Sequence, residues 1–224
     1  MADSGFSKSS QAEQQMLPPE RKAWPVWPWL VLLLVLAAIL IVHAATGVPT
    51  ESRGTRHPAV GTKLTTFHLE PLTGDAQPVS QSALEGKVTL VNFWGPWCPA
   101  CLIEFPHLME VEKHFRSDGR FQFFSVSSNV DPRDETGLAA STEEFLKQQQ
   151  ADFPTYRDPQ GDTAKTFITA AKIEDFGFPS TLLIGPDGTL RGLWLGYQLN
   201  DEKSIQQAIV NKIRFLCEAS TGLC

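Results

Sequence analysis

A seven-residue, near-continuous apolar run, Val88–Trp94 (VTLVNFW), leads straight into Gly95-Pro96-Trp97-Cys98-Pro99-Ala100-Cys101. Behind these lies a stretch with helical spacing of apolar side chains: Leu102, Phe105, Leu108, Met109, Val111 and Phe115. A near-continuous apolar run of this length reads as a buried central strand, and a 3.6-residue period reads as a helix packed on a sheet. The two cysteines therefore stand at a strand-to-helix junction, with Cys98 at the first turn. There, unpaired backbone N–H groups and the positive end of the helix dipole favour thiolate over thiol. A free cysteine titrates at about 8.5, and such settings lower this to roughly 3.5–7.5. Two intervening residues bring the second sulfur one turn on, within reach of a reversible disulfide. Pro99 falls where its missing N–H costs little. This arrangement predicts Cys98 as the exposed attacking thiol and Cys101 as the resolving thiol beneath it.

A Cys-x-x-Cys pair is also half of a common zinc site. The other half would have to be Cys217 and Cys224, whose six-residue gap does not match a second knuckle. His43, His57, His68, His107 and His114 form no metal-like spacing with them, so no metal site is expected. The net charge of −6, without a basic run in the folded part, argues against nucleic acid as a partner.

Ahead of this region, residues 23–50 contain no Asp, Glu, Lys or Arg, and residues 29–42 are all apolar. Residues 26–45 are about enough for a helix across a hydrocarbon core about 30 Å thick. Trp24, Trp27 and Trp29 stand where indoles favour the headgroup region, behind Arg21 and Lys22. Without a polar face the run is a poor core helix. A cleavable signal with Val42-His43-Ala44 as the cleavage site is the competing reading. The long N-terminal region and long apolar run favour an uncleaved anchor. Arg53, Arg56 and Lys63 follow the span, so charge alone does not orient it. The organisation expected is a disordered cytoplasmic tail at 1–22, an anchor at 23–46, a linker at 47–60, a folded domain at 61–216 and a tail at 217–224. A Cys217–Cys224 disulfide is the favoured use of those two thiols, and such a bond belongs outside the reducing cytosol.

Within the domain, residues 65–70 and 77–80 flank Thr73-Gly74-Asp75 as an N-terminal β-hairpin. Residues 121–128 read as a second buried strand. A helix is expected at 141–150 with Ser141 or Thr142 as N-cap, another at Asp162–Ala171, and a closing amphipathic helix at 201–215. The fold class is α/β, a central mixed sheet flanked by helices, preceded by one transmembrane helix.

The combination of Val91-Asn92-Phe93-Trp94, Trp97-Cys98-Pro99-Ala100-Cys101, Glu104-Phe105-Pro106 and Gly177-Phe178-Pro179-Ser180-Thr181 resembles the TlpA/ResA-like branch of the thioredoxin-like family. The resemblance covers roughly residues 58–215 and implies a membrane-anchored thiol:disulfide oxidoreductase with its domain in the periplasm, tied to the bacterial inner membrane by a single pass. It implies that Pro179 is cis, faces the redox pair, and with Phe178 pairs with a bound substrate strand. It implies that Glu104, on the helical face of Cys101, exchanges protons with that thiol, because the aspartate usual in the preceding strand is Asn92 here. A solvated surface glutamate is the alternative reading from residues alone. Trp97 is a platform for partner peptides or packs under its loop.

The expected partners are exported proteins with disulfides or thiols and a membrane electron donor or acceptor. No cofactor is expected beyond the Cys98–Cys101 disulfide. Reduction is the leading direction, as in relatives that keep apocytochrome cysteines reduced, with oxidation or isomerisation as the alternative. A peroxidase of related fold wants Thr or Ser where Gly95 stands. A copper-handling protein is the reading from another class, since thiolates suit Cu(I).

Overall fold

A computed structural model describes residues 25, 27–46, 54–131, 134–173, 176–197 and 202–219. The chain divides into two units, one carrying the first helix and the other everything from residue 54 onward. Helix α1, Trp27–Thr46, is 20 residues long. Side chains are described for 27–38 of it, and all of these are exposed, including Trp27, Trp29 and Leu30. Among the described residues no helix is long and apolar enough to cross a membrane, and the expected anchor at 23–46 begins ahead of the described helix. The expected tail at 1–22 lies outside the described residues.

The second unit is built on a seven-stranded sheet of order β2-β1-β5-β4-β3-β6-β7. Its strands are β1 (His68–Thr73), β2 (Val79–Ser80), β3 (Val88–Trp94), β4 (Phe121–Ser127), β5 (Thr155–Arg157), β6 (Ser180–Ile184) and β7 (Leu190–Leu195). The β3–β4 and β4–β5 pairs are parallel, and the other four pairings are antiparallel. The sheet is therefore mixed, and the predicted hairpin forms its β1–β2 edge. Among the described residues four α-helices follow α1: α2 (Pro99–Phe115), α3 (Leu138–Gln149), α4 (Asp162–Ala171) and α5 (Glu202–Ala219).

Strand period decides what each face of the sheet receives. Val88 and Leu90 of β3 and Leu183 of β6 pack under α2 and α5 with Leu108, Val111, Ile209 and Ile213. Val91 and Phe93, with Leu182 and Ile184, pack on the opposite face with Phe67, Leu69 and Phe167. Continuing the first series along β3 puts Asn92 and Trp94 on the α2 face. The same step along β6 puts Thr181 there.

Three expectations need correction, and one strand had not been expected. Residues 54–60 are not a tether: Ala59 is buried in the core, and the Gly54 carbonyl accepts from Leu193 N–H at 3.0 Å. Apolar burial and backbone pairing outweigh the glycine and proline content that suggested a linker. Helix α3 begins three residues before 141, after Gly137 in the left-handed conformation (φ 70°), with no side-chain cap. Thr142 is buried instead, sharing a 2.8 Å hydrogen bond with Ser127. Strand β5 had no signal of its own, being three residues long behind Pro154. Helix α5 runs on past residue 215 and contains Cys217, which is buried in the core cluster that includes Val88 and Leu108 rather than lying in a tail.

Candidate active site

The end of β3 turns through Gly95, whose carbonyl accepts from Cys98 N–H at 3.0 Å. Cys98 is the N-cap of α2, and its sulfur accepts from Cys101 N–H at 3.2 Å. Pro99 follows at the start of the helix, where no intrahelical donor is required. Cys98 and Cys101 are joined by a disulfide, with their Cα atoms 5.2 Å apart. Both sulfurs thus sit at the positive end of the helix dipole, as the sequence predicted. The expected exposure of Cys98 is not met in this disulfide form: Cys98 is 4% exposed and Cys101 1%. They belong to a buried cluster with Trp94, Phe105, Phe145 and Leu146, against which Phe178 also packs.

Trp97 is 40% exposed, yet its indole N–H donates to the Ser128 carbonyl at 2.8 Å. Its ring meets Phe178 edge-to-face, centroids 5.5 Å apart. Trp97 is thus packed and hydrogen-bonded on one side while part of its surface stays exposed. The Phe178–Pro179 bond is cis. The Pro179 carbonyl accepts from Gly196 N–H at 2.8 Å, and Ser180 Oγ donates to the Gly177 carbonyl.

Glu104 is not a surface glutamate; it is buried. Asn92 Nδ2 donates to Glu104 Oε2 at 3.0 Å and to Thr181 Oγ1 at 2.9 Å. The Thr181 hydroxyl also lies 3.4 Å from Glu104 Oε1. Burial, which penalises the charged carboxylate, pushes Glu104 up to about 7, while the hydrogen bonds from Asn92 and Thr181 pull the other way. A carboxyl group titrating there can take and return a proton near neutral pH. Asn92 holds the carboxyl group in place, and burial, the largest effect on it, sets its raised proton affinity.

His107 lines a small pocket between α2 and α5 with Glu104, Leu108, Tyr197 and Ile209, and takes no part in the sulfur geometry. Cys217 lies in α5 on the same face of the sheet but in another cluster, and burial raises its thiol pKa. Cys224 is outside the described residues, and with it the expected Cys217–Cys224 pairing.

Sequence reasoning missed Thr181, Phe145 and Leu146. The alternation of β6 carried a signal for Thr181, two residues from inward-facing Leu183. Nothing local tied α3 to the cysteines.

A disulfide at the N-terminus of the helix after a central strand, with Phe178 of a cis Phe178–Pro179 bond packed against its cluster, defines a thioredoxin-fold thiol:disulfide oxidoreductase. Residues 60–193 match the AhpC/TSA family. The thiol-disulfide oxidoreductase ResA of Bacillus subtilis (strain 168) is 31% identical over 159 residues, covering 71% of this chain and 76% of that protein. The thiol:disulfide interchange protein DsbE of Pseudomonas aeruginosa is 34% identical over 80 residues, 35% of this chain and 44% of that protein. A thioredoxin-family thiol:disulfide interchange protein from Chlorobium tepidum TLS shares the fold, with a TM-score of 0.54 and 21% identity over 70% of this chain and 97% of its own. The chain belongs to the ResA-like thioredoxin family and is an enzyme acting on disulfide or thiol substrates through Cys98 and Cys101.

Proposed function

We propose that this protein reduces disulfides of exported proteins, including those of apocytochromes awaiting haem, on the periplasmic side of a bacterial inner membrane. The apolar segment 23–46, which contains helix α1, serves as the single-pass anchor. The observation that carries the reading is the buried Glu104, held by Asn92 and Thr181 one turn beyond the resolving cysteine.

In the reduced enzyme the Cys98 thiolate, favoured by the α2 N-terminus, attacks a substrate disulfide. One substrate sulfur leaves as a thiolate and takes a proton from solvent, and Cys98 is left in a mixed disulfide. The Glu104 carboxylate takes the Cys101 proton. The Cys101 sulfur then attacks Cys98 Sγ, forming the Cys98–Cys101 bond and releasing the second substrate sulfur, to which Glu104 returns the proton. Two electrons have passed from the cysteine pair to the substrate. A membrane electron donor restores the dithiol, and the pair itself is the redox group. Trp97 and Phe178 flank the sulfurs and hold the substrate strand, which pairs with backbone beside Pro179.

Cys101→Ser tests this directly. With no resolving thiol, mixed disulfides accumulate at Cys98, and their partners are oxidised exported proteins. Absence of trapped partners would refute the oxidoreductase role in vivo. A reduction potential near the strongly oxidising value of about −120 mV would replace reduction by oxidation.

A further inference from the structure

Helix α3 stands away from the redox motif in sequence, yet it sends Phe145 and Leu146 into the buried cluster that contains both cysteines. The three rings of that cluster form a closed triangle. Trp94 and Phe105 are 4.8 Å apart, Trp94 and Phe145 4.9 Å, and Phe105 and Phe145 4.9 Å, centroid to centroid. Phe105 is one helical turn beyond Cys101, on the same face of α2, so the triangle continues the wall against which Cys101 is buried.

The supports of this wall are polar and specific. The Trp94 indole N–H donates to Ser125 Oγ at 2.8 Å, which fixes the plane of that ring. The buried Ser127–Thr142 bond at 2.8 Å fastens α3 to β4 one turn before Phe145. Helix α3 is delimited by two left-handed residues, Gly137 and Gln150, so its ends turn sharply and its register on β4 is set.

We infer that Phe145 is a positioning residue for the resolving thiol: by closing the aromatic triangle from α3, it keeps water from Cys101. The inference rests on the cysteine pair being the redox centre, but not on the direction of electron flow. In a dry apolar surrounding the thiolate is disfavoured, so Cys101 stays protonated until a base accepts its proton. Glu104 is that base. The order of events follows: Cys98 attacks first, and Cys101 answers only after the mixed disulfide has formed. Besides Glu104, the groups facing this region are Cys98 on α2 and the neutral side chains of Asn92, Ser125, Ser127, Thr142 and Thr181.

The test is the pH profile of Cys101 alkylation, read peptide by peptide by mass spectrometry, in the full chain carrying Cys98→Ser. Adding Phe145→Ala lets water reach the sulfur. The midpoint is expected to fall by at least about one pH unit, equivalent to about tenfold faster alkylation below it. Phe145→Leu, which keeps most of the bulk, is expected to fall by less and serves as the deciding variant if the alanine protein does not fold. Ile213→Ala, buried in the separate cluster under α5, controls for general loss of stability and should leave the profile unmoved. A profile unchanged in the Phe145 variants, or moved equally by Ile213→Ala, would overturn the inference. Failure of Cys101→Ser to trap partners would instead strike the proposed function and leave this result standing.

Discussion

Replacing Glu104 by glutamine should make the protein more stable at neutral pH while disabling it. The side chain is 7% exposed and its carboxyl group titrates at about 7, against an ordinary 4.5. The cause is desolvation, which the hydrogen bonds from Asn92 and Thr181 offset only in part. Between those two pH values the folded protein holds a proton that the unfolded chain has released, so stability falls as pH rises through the window. It is then level above the folded value. At about 1.4 kcal/mol per pH unit, the distance from 4.5 to about 7 amounts to about 3 kcal/mol. Glu104→Gln removes the ionisation but keeps an oxygen to accept from Asn92 and an N–H₂ to donate to Thr181.

Urea unfolding of the oxidised protein, measured from pH 4 to pH 8, is the assay. Wild type and variant should have similar stability at pH 4, and the variant should be more stable by about 3 kcal/mol at pH 8. In parallel, the variant should resolve mixed disulfides more slowly, with the pH dependence near 7 flattened. Parallel stability curves for the two proteins across the whole range would refute the reasoning, because Glu104 would then have the same pKa in the folded and unfolded states.

Two further outcomes follow from the same geometry. Asn92→Asp places a second carboxylate about where Nδ2 now donates to Glu104 at 3.0 Å. One of the two acids should then stay protonated well above its usual range, with a loss of about 3–5 kcal/mol at pH 8 but little at pH 5; equal losses in urea midpoint at both pH values would contradict it. Gly95→Ala would set a Cβ 2.5 Å from the Ser128 carbonyl and 2.5 Å from Trp97 Nε1. It should displace Trp97, cost about 1–3 kcal/mol in thermal unfolding, and slow reduction of protein substrates more than of a small disulfide. The same crowding leaves no room for the Thr or Ser that a peroxidase of this fold would carry there.

How much of this was legible beforehand can be followed residue by residue. The strand Val88–Trp94, the disulfide pair at the helix start and Asp162–Ala171 were all local. Apolar run length, helical period and the electrostatics of a helix N-terminus are properties of a few neighbouring residues. The family resemblance extended this to the cis bond at Pro179 and singled out Glu104, which the fold buries. Other features were not local. Residues 54–60 have a linker's composition, yet Ala59 is in the core, because backbone pairing to β7 decided it. Cys217 resembled a tail residue until α5 proved long enough to bury it.

The sequence by itself determined the chemistry at the sulfurs. It placed two thiols one turn apart at the positive end of a helix that must pack on an apolar strand. Only the tertiary structure decided how protons reach them. Whether Glu104 is wet or dry depends on the register of β3 against β6, which brings Asn92 and Thr181 together on one face. Whether Cys101 is wet or dry depends on α3, whose Phe145 arrives from 44 residues further along the chain. Burial is a property of what surrounds a group, and a carboxyl or thiol takes its proton affinity from that surrounding rather than from its sequence neighbours.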